Sequence, residues 1–271
     1  MFKLIFAALL LSSVAQAKTY KIAVIDTGFD FNSSWKYASN GLVKPKLCAE
    51  GHYDFTDNDE RPQDTHGHGT HVAGIIAKNL KDIDYCLVIL KYFGSDKRSP
   101  GFGEDNLVRS NLALMRALQL KVDYINYSGG GLSPDHTEKI LIKKLLDSGV
   151  KIFAAAGNER SLLSIKPYYP AMYDPRIYVA GAMDIEGRII ASSNRGKPVD
   201  KYLLGEDVIS LLPGNRTGPM TGTSQATPLF LAESLKREHE YQRQRPDRFE
   251  ECALIFRSLQ GCSDLLIIKS F

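Results

Sequence analysis

The chain has 271 residues, a formal net charge of +3 and 44% hydrophobic residues. That length suits one large α/β domain with a core of its own, and so small a charge gives no reason to expect nucleic acid or an anionic membrane as partner. The basic pairs Lys97-Arg98 and Lys143-Lys144 stand alone, whereas a polyanion-binding surface needs clustered cations.

Residues 1–17 read as a secretory signal peptide. Lys3 supplies the positive start, Leu4 to Leu11 the apolar stretch and Ala15-Gln16-Ala17 a small-residue cleavage site. The apolar run is shorter than the roughly 18 residues a membrane span requires. Residues 18–271 are therefore expected to form one exported domain, secreted or periplasmic, monomeric, and free of membrane once the signal is removed.

Tyr20 to Ile25 is apolar and rich in β-branched residues, which predicts a strand running into Asp26-Thr27-Gly28. A polar loop follows, with Asp54, Asp57, Asp59, Arg61 and Gln63 in alternation, and then the segment His66-Gly67-His68-Gly69-Thr70-His71 opening a helix. Further strands are predicted at Tyr85 to Leu90, Val122 to Asn126, Val150 to Ala154 and Arg176 to Ala180. Helical spacing marks Asn106 to Leu120, Pro134 to Ser148 and Ser224 to Tyr241. Strands that are apolar without alternation, separated by helices, imply a mostly parallel central sheet covered on both faces. The expected fold is a three-layer α/β/α domain. Arg243 to Asp247 reads as a linker, so residues 242–271 are expected as a helical tail packed back on the domain.

Four cysteines in an exported chain suggest two disulfides, with three possible connectivities. We favour Cys48–Cys86, tying an early loop to a strand, with Cys252–Cys262 closing a short C-terminal loop. A buried free thiol at Cys86 is the competing reading.

In open parallel sheets, sites form beyond the carboxyl ends of the strands. Asp26, Ser128 and Asn158 each follow a predicted strand there. Ser224 stands between Gly222 and a helix that should begin at once, since Pro228 is tolerated near a first turn. A hydroxyl at that place lies among unpaired backbone N–H groups at the positive end of the helix. Serine-based amide hydrolysis needs a base, an acid to orient it and donors for the oxyanion. His68, Asp26 and Asn158 supply those types. Zinc is the rival use of the three histidines, but the segment lacks the glutamate found on metalloprotease helices. His71 reads as a buried structural residue and His66 as an exposed one.

Asp26-Thr27-Gly28, His68-Gly69-Thr70-His71-Val72-Ala73-Gly74, Ala155-Ala156-Gly157-Asn158 and Gly222-Thr223-Ser224-Gln225-Ala226-Thr227-Pro228 together resemble the four signature segments of the subtilases, the subtilisin-like serine peptidases. The likeness runs from about Tyr20 to Tyr241. It implies a serine endopeptidase that hydrolyses peptide bonds through an acyl-enzyme, acting on peptide or protein substrates. By that likeness Ser224 is the nucleophile, His68 the base, Asp26 its orienting acid and Asn158 an oxyanion donor. Ser128-Gly129-Gly130 resembles the segment that pairs with substrate as an added strand. The loop from Asp54 to Gln63 is similar to a calcium loop of thermitase-like members. There Asp54, Asp57, Asp59, Arg61 (through its carbonyl) and Gln63 would hold a structural calcium, a solvated acidic loop being the alternative.

The chain departs from the pattern in several ways. No pro-segment fits between the signal and the first strand, so the domain would fold unaided or with a helper or inhibitor acting in trans. Gln225 replaces a methionine, and Gly129 stands where a larger residue often lines the cleft. Two other readings stay open: a catalytically silent peptide-binding scaffold, and a peptide ligase or macrocyclase using the same acyl-enzyme.

Overall fold

In a computed structural model, residues 18–35, 41–94 and 102–244 are described. The elements follow in the order β1 (Tyr20–Asp26), β2 (Tyr53–Asp54), α1 (His68–Asn79), β3 (Tyr85–Lys91), α2 (Phe102–Gln119), β4 (Tyr124–Tyr127) and α3 (His136–Asp147). Then come β5 (Lys151–Ala155), β6 (Tyr178–Met183), β7 (Lys201–Leu204), β8 (Val208–Leu212), β9 (Arg216–Met220) and α4 (Thr223–Gln244).

Seven strands form one sheet in the order β2-β3-β1-β4-β5-β6-β7, and every neighbouring pair in it is parallel. Side chains alternate across each strand, and the alternation divides the core in two. Ile22 and Val24 of β1 join Val72 and Ile76 of α1 and Leu231 and Leu235 of α4. Ala23 and Ile25 join Leu114 of α2 and Leu141 and Leu145 of α3 on the opposite face. Helices on both faces leave the sheet's central strands fully buried, as their unbroken apolar runs require. The expected three-layer α/β/α fold is what the chain adopts.

The five predicted strands all form. The third and fifth of them begin two residues late, at Tyr124 and Tyr178; before the latter Asp174 and Arg176 tie a turn, the carboxylate accepting from the Arg176 N–H at 2.9 Å and from its guanidinium. Four strands went unpredicted. β2 and β7 are the sheet edges, short and only partly covered, so neither carries a long apolar run. β8 and β9 make a separate antiparallel hairpin that packs on α1.

The start of α4 corrects the reading of Pro228. The helix begins at Thr223 and holds Pro228 in its interior, where a proline normally strands the carbonyl one turn back. That carbonyl belongs to Ser224, and it accepts instead from the Ser128 hydroxyl at 2.9 Å.

Cys48 and Cys86 are joined in a disulfide, as favoured. The Cys252–Cys262 pairing and nearly all of the tail at 242–271 lie outside the described residues, although α4 itself runs through the first part of the expected linker. Among the described residues no helix is long and apolar enough to cross a membrane.

Candidate active site

The carboxyl ends of the central strands and the starts of two helices meet at one edge. Asp26 closes β1 and His68 opens α1. Asp26 Oδ1 lies 2.7 Å from His68 Nδ1 and also accepts from the Thr27 N–H at 2.7 Å. Asp26 is buried, whereas the His68 side chain keeps 23% exposure. A carboxylate on Nδ1 fixes the tautomer and turns Nε2 outward. Burial pulls the His68 pKa down, but the charge and hydrogen bond of Asp26, with Asp64 farther off, outweigh it and hold the imidazole above its ordinary value.

The ring is placed by the way α1 begins. Its cap residue, Gly67, offers no side chain, so other groups receive the first free N–H groups. The Thr27 hydroxyl accepts from Gly69 N at 2.8 Å, and Asp64 Oδ2 accepts from Thr70 N at 2.9 Å and from its hydroxyl at 2.7 Å. Asp64 Oδ1 takes the His66 and Gly67 N–H groups at 2.9 and 2.8 Å and the Thr27 hydroxyl at 3.0 Å. A Cβ on Gly69 would stand 2.2 Å from the Gly28 carbonyl oxygen, so only glycine lets α1 approach β1 this closely. Asp64 thus positions His68 without touching it. The signal was present in the sequence, an aspartate just before a helix start, but its partners are long-range.

His71, one turn further, is fully buried with Nε2 at 3.2 Å from the Gly218 carbonyl oxygen. Burial, outweighing that bond, brings its pKa down to about 4, so it is a neutral structural residue. His66 is exposed at the cleft rim, its ring centroid 6.1 Å from that of Phe93.

Ser224 is 9% exposed in the first turn of α4. Its hydroxyl donates to the Ser128 carbonyl oxygen at 2.8 Å, reciprocating the bond from Ser128 Oγ to the Ser224 carbonyl. The Asn158 side-chain oxygen accepts from Thr223 N at 3.0 Å. That bond orients the amide, and the Nδ2 hydrogens have no protein acceptor among the described residues. Ser128, Gly129 and Gly130 line a cleft together with His68, Tyr92 and Tyr168. A Cβ on Gly129 would fall 1.9 Å from the Tyr92 hydroxyl oxygen. The Tyr92 phenol therefore fills the space a larger residue at 129 would occupy.

Asp26 thus pairs with His68, Ser224 is bonded to the cleft-lining Ser128, and Asn158 is bonded to Thr223 beside Ser224. The subtilase family model matches residues 17–232. The chain belongs to the subtilase family.

Subtilases are subtilisin-like serine peptidases, and the relatives of this chain include serine proteases. The chain is 32% identical over 262 residues to the major intracellular serine protease of Bacillus subtilis (strain 168), covering 90% of this chain and 77% of that protein. It is 33% identical over 213 residues to subtilisin E of the same organism, covering 77% of this chain and 52% of the relative, so it spans about half of that protein's length. Among solved structures, a cold-adapted subtilisin-like serine proteinase matches with a TM-score of 0.62 at 24% identity, over 80% of this chain and 78% of the other. A lanthipeptide protease matches with a TM-score of 0.68 at 19% identity, over 83% and 74%. At such identities these two likenesses speak for the fold.

The loop expected to hold calcium is built around a lysine. Lys91 Nζ lies 2.7 Å from Asp54 Oδ2, 3.7 Å from Asp57 Oδ2 and 3.1 Å from the Gln63 carbonyl oxygen. Asp54 and Lys91 are both buried. Asp54 Oδ1 is taken by Thr56 and by the Asp57 N–H. Asp59 Oδ1 accepts from the Arg61 N–H at 2.8 Å, the Arg61 guanidinium donates to Asn32, and the Gln63 amide turns to Asp30. These residues do not fit a calcium ion, because a dication among them would face the ammonium at contact distance. Among the described residues no cluster of three metal-ligating side chains occurs.

Proposed function

We propose that this chain is an exported endopeptidase that hydrolyses peptide bonds through an acyl-enzyme on Ser224. The observation that carries the proposal is the 2.7 Å contact of Asp26 with His68 Nδ1, set beside a serine at a helix start with an unengaged amide donor. Ser224 Oγ attacks the carbonyl carbon while its proton passes to His68 Nε2. The oxyanion is held by Asn158 Nδ2 and the Ser224 N–H. His68 returns the proton to the leaving amine nitrogen, and water then attacks the ester by the same path in reverse.

The resting hydroxyl is hydrogen-bonded to the Ser128 carbonyl. A substrate strand whose N–H donates to that same carbonyl, in the manner of an added β-strand, displaces the hydroxyl toward His68. Binding and arming of the nucleophile are then one event. The resting bond also favours a second reading, a silent scaffold in which Ser224 serves only to brace the Ser128 segment.

One experiment separates the two. The purified protein and Ser224→Ala are incubated with a serine-directed fluorophosphonate probe. Labelling of the intact protein alone is expected, and equal labelling of both would leave the scaffold reading. Export is supported by the signal-like pattern of residues 1–17 and by a disulfide that suits an oxidising compartment.

A further inference from the structure

The cleft lined by His68 and by Ser128, Gly129 and Gly130 already holds an aromatic ring, that of Tyr168. The scissile carbonyl has to reach Ser224 Oγ and Asn158 Nδ2 together, so it lies between the Ser128–Gly130 segment and the Ala156–Asn158 segment. The side chain on the residue that supplies this carbonyl must enter the gap between them. Tyr168 occupies that gap. A Cβ on Gly130 would be 2.7 Å from Tyr168 Cε1, and a Cβ on Gly157 would be 2.7 Å from Tyr168 Cδ2. Those two ring atoms are para to one another, so opposite edges of the ring face the two glycines, and a side chain on either glycine would collide with it.

The backbone that carries the ring is tied to the Ser128–Gly131 side of the gap. Tyr169 N donates to the Gly131 carbonyl at 2.8 Å, and Gly131 N to the Tyr169 carbonyl at 2.9 Å. The carboxylate on the Gly157 side is also committed. Asn194 Nδ2 donates to Glu159 Oε2 at 2.6 Å, and Asn194 Oδ1 accepts from Glu159 N at 3.1 Å. Glu159 is held against Asn194, with its Oε2 2.4 Å from where a Cβ on Gly157 would stand, so it shares that wall with the Tyr168 ring.

We infer that Tyr168 restricts the residue on the amino side of the cleaved bond to glycine or alanine. The inference rests on the endopeptidase reading and names its substrate class: peptides and proteins cut after a residue with little or no side chain. A larger residue must either expel the ring or lift its own carbonyl away from the oxyanion donors, and the second outcome lowers kcat as well as affinity.

The test is a peptide series varied only at that position, with glycine, alanine, leucine, phenylalanine and lysine, run on the intact protein, Tyr168→Phe and Tyr168→Gly. For the intact protein, kcat/KM on the alanine peptide is expected to exceed that on the phenylalanine and leucine peptides by about 100-fold, the scale of steric exclusion from a pocket. Tyr168→Phe keeps the ring and should keep this ratio. Tyr168→Gly should shrink it at least tenfold by admitting larger residues. Should Tyr168→Gly fail to fold, the ratio in the intact protein and in Tyr168→Phe still decides. Equal cleavage of the phenylalanine and alanine peptides by a protein whose Ser224 takes the fluorophosphonate probe overturns the inference alone. Failure of Ser224 to take the probe overturns the endopeptidase reading, and this inference with it.

Discussion

Two buried carboxylates stand one strand apart at the same edge of the sheet, each 2.7 Å from a basic nitrogen: Asp26 from His68 and Asp54 from Lys91. They share even their row, since Lys91 is in register with Asp26 on one side and with Asp54 on the other. What separates them is the partner. His68 is an imidazole with 23% of its side chain exposed, facing the cleft, whereas the Lys91 side chain is 7% exposed and its ammonium also takes the Gln63 carbonyl. An imidazole exchanges its proton near neutral pH, whereas the Lys91 ammonium is enclosed between the Asp54 carboxylate and the Gln63 carbonyl. The same distance therefore yields a proton relay in one place and a structural clamp in the other. Contact geometry alone does not identify a catalytic pair; the partner's side-chain type and its access to the cleft do.

The sharpest way to break the comparison is to neutralise the acid of each pair. Asp26→Asn keeps the shape but favours the wrong imidazole tautomer, and kcat should fall on the order of 10⁴-fold in steady-state peptide hydrolysis, with thermal unfolding little moved. A loss below tenfold would mean that Asp26 does not orient the base.

In the second pair the effect should appear in stability. Lys91→Met leaves Asp54 buried without its cation, and the unfolding free energy should drop by about 3–5 kcal/mol in denaturant titration. Chelator should leave the melting temperature of the intact protein where it was. A rise in melting temperature with added calcium, as mass action on a folded-state site would produce, would contradict the clamp.

The smallest effect concerns the acid limb of activity. His68 acts as a base only when neutral, and its pKa is raised, so kcat/KM should be lost as pH falls through a midpoint above 6.5, the ordinary imidazole value. Asp64→Asn removes one of the charges that raise it and should move that midpoint down by less than about one unit, a differential of under ~1.4 kcal/mol. An unchanged midpoint would limit Asp64 to its hydrogen bonds with α1.

Most of the fold was legible because it is written locally. Continuous apolar runs marked the buried strands, and 3.6-residue spacing marked the helices between them. Edge strands escaped because half-covered strands lack such runs. The β8–β9 hairpin does carry a signal, Pro213-Gly214-Asn215 between two short strands, although Pro219 inside β9 is a residue that strands seldom hold. Asp26, His68, Asn158 and Ser224 were readable as candidates at predicted strand and helix ends. Asp64 was passed over because its five bonds reach Thr27, the His66 and Gly67 amides and Thr70 only once β1 and α1 have met.

By itself, then, the sequence determined the three-layer architecture, the chain order of the chemical groups and the edge of the sheet at which they assemble, since strand and helix periods and their termini are properties of short segments. Tertiary structure alone decided which partner each group received. It set Lys91 among the carboxylates read as calcium ligands, gave the Ser224 carbonyl to Ser128 so that Pro228 could sit inside α4, and slid the Tyr168 ring between Gly130 and Gly157. Each of these outcomes depends on side chains far apart along the chain competing for one small volume, and no spacing rule encodes which of them fills it.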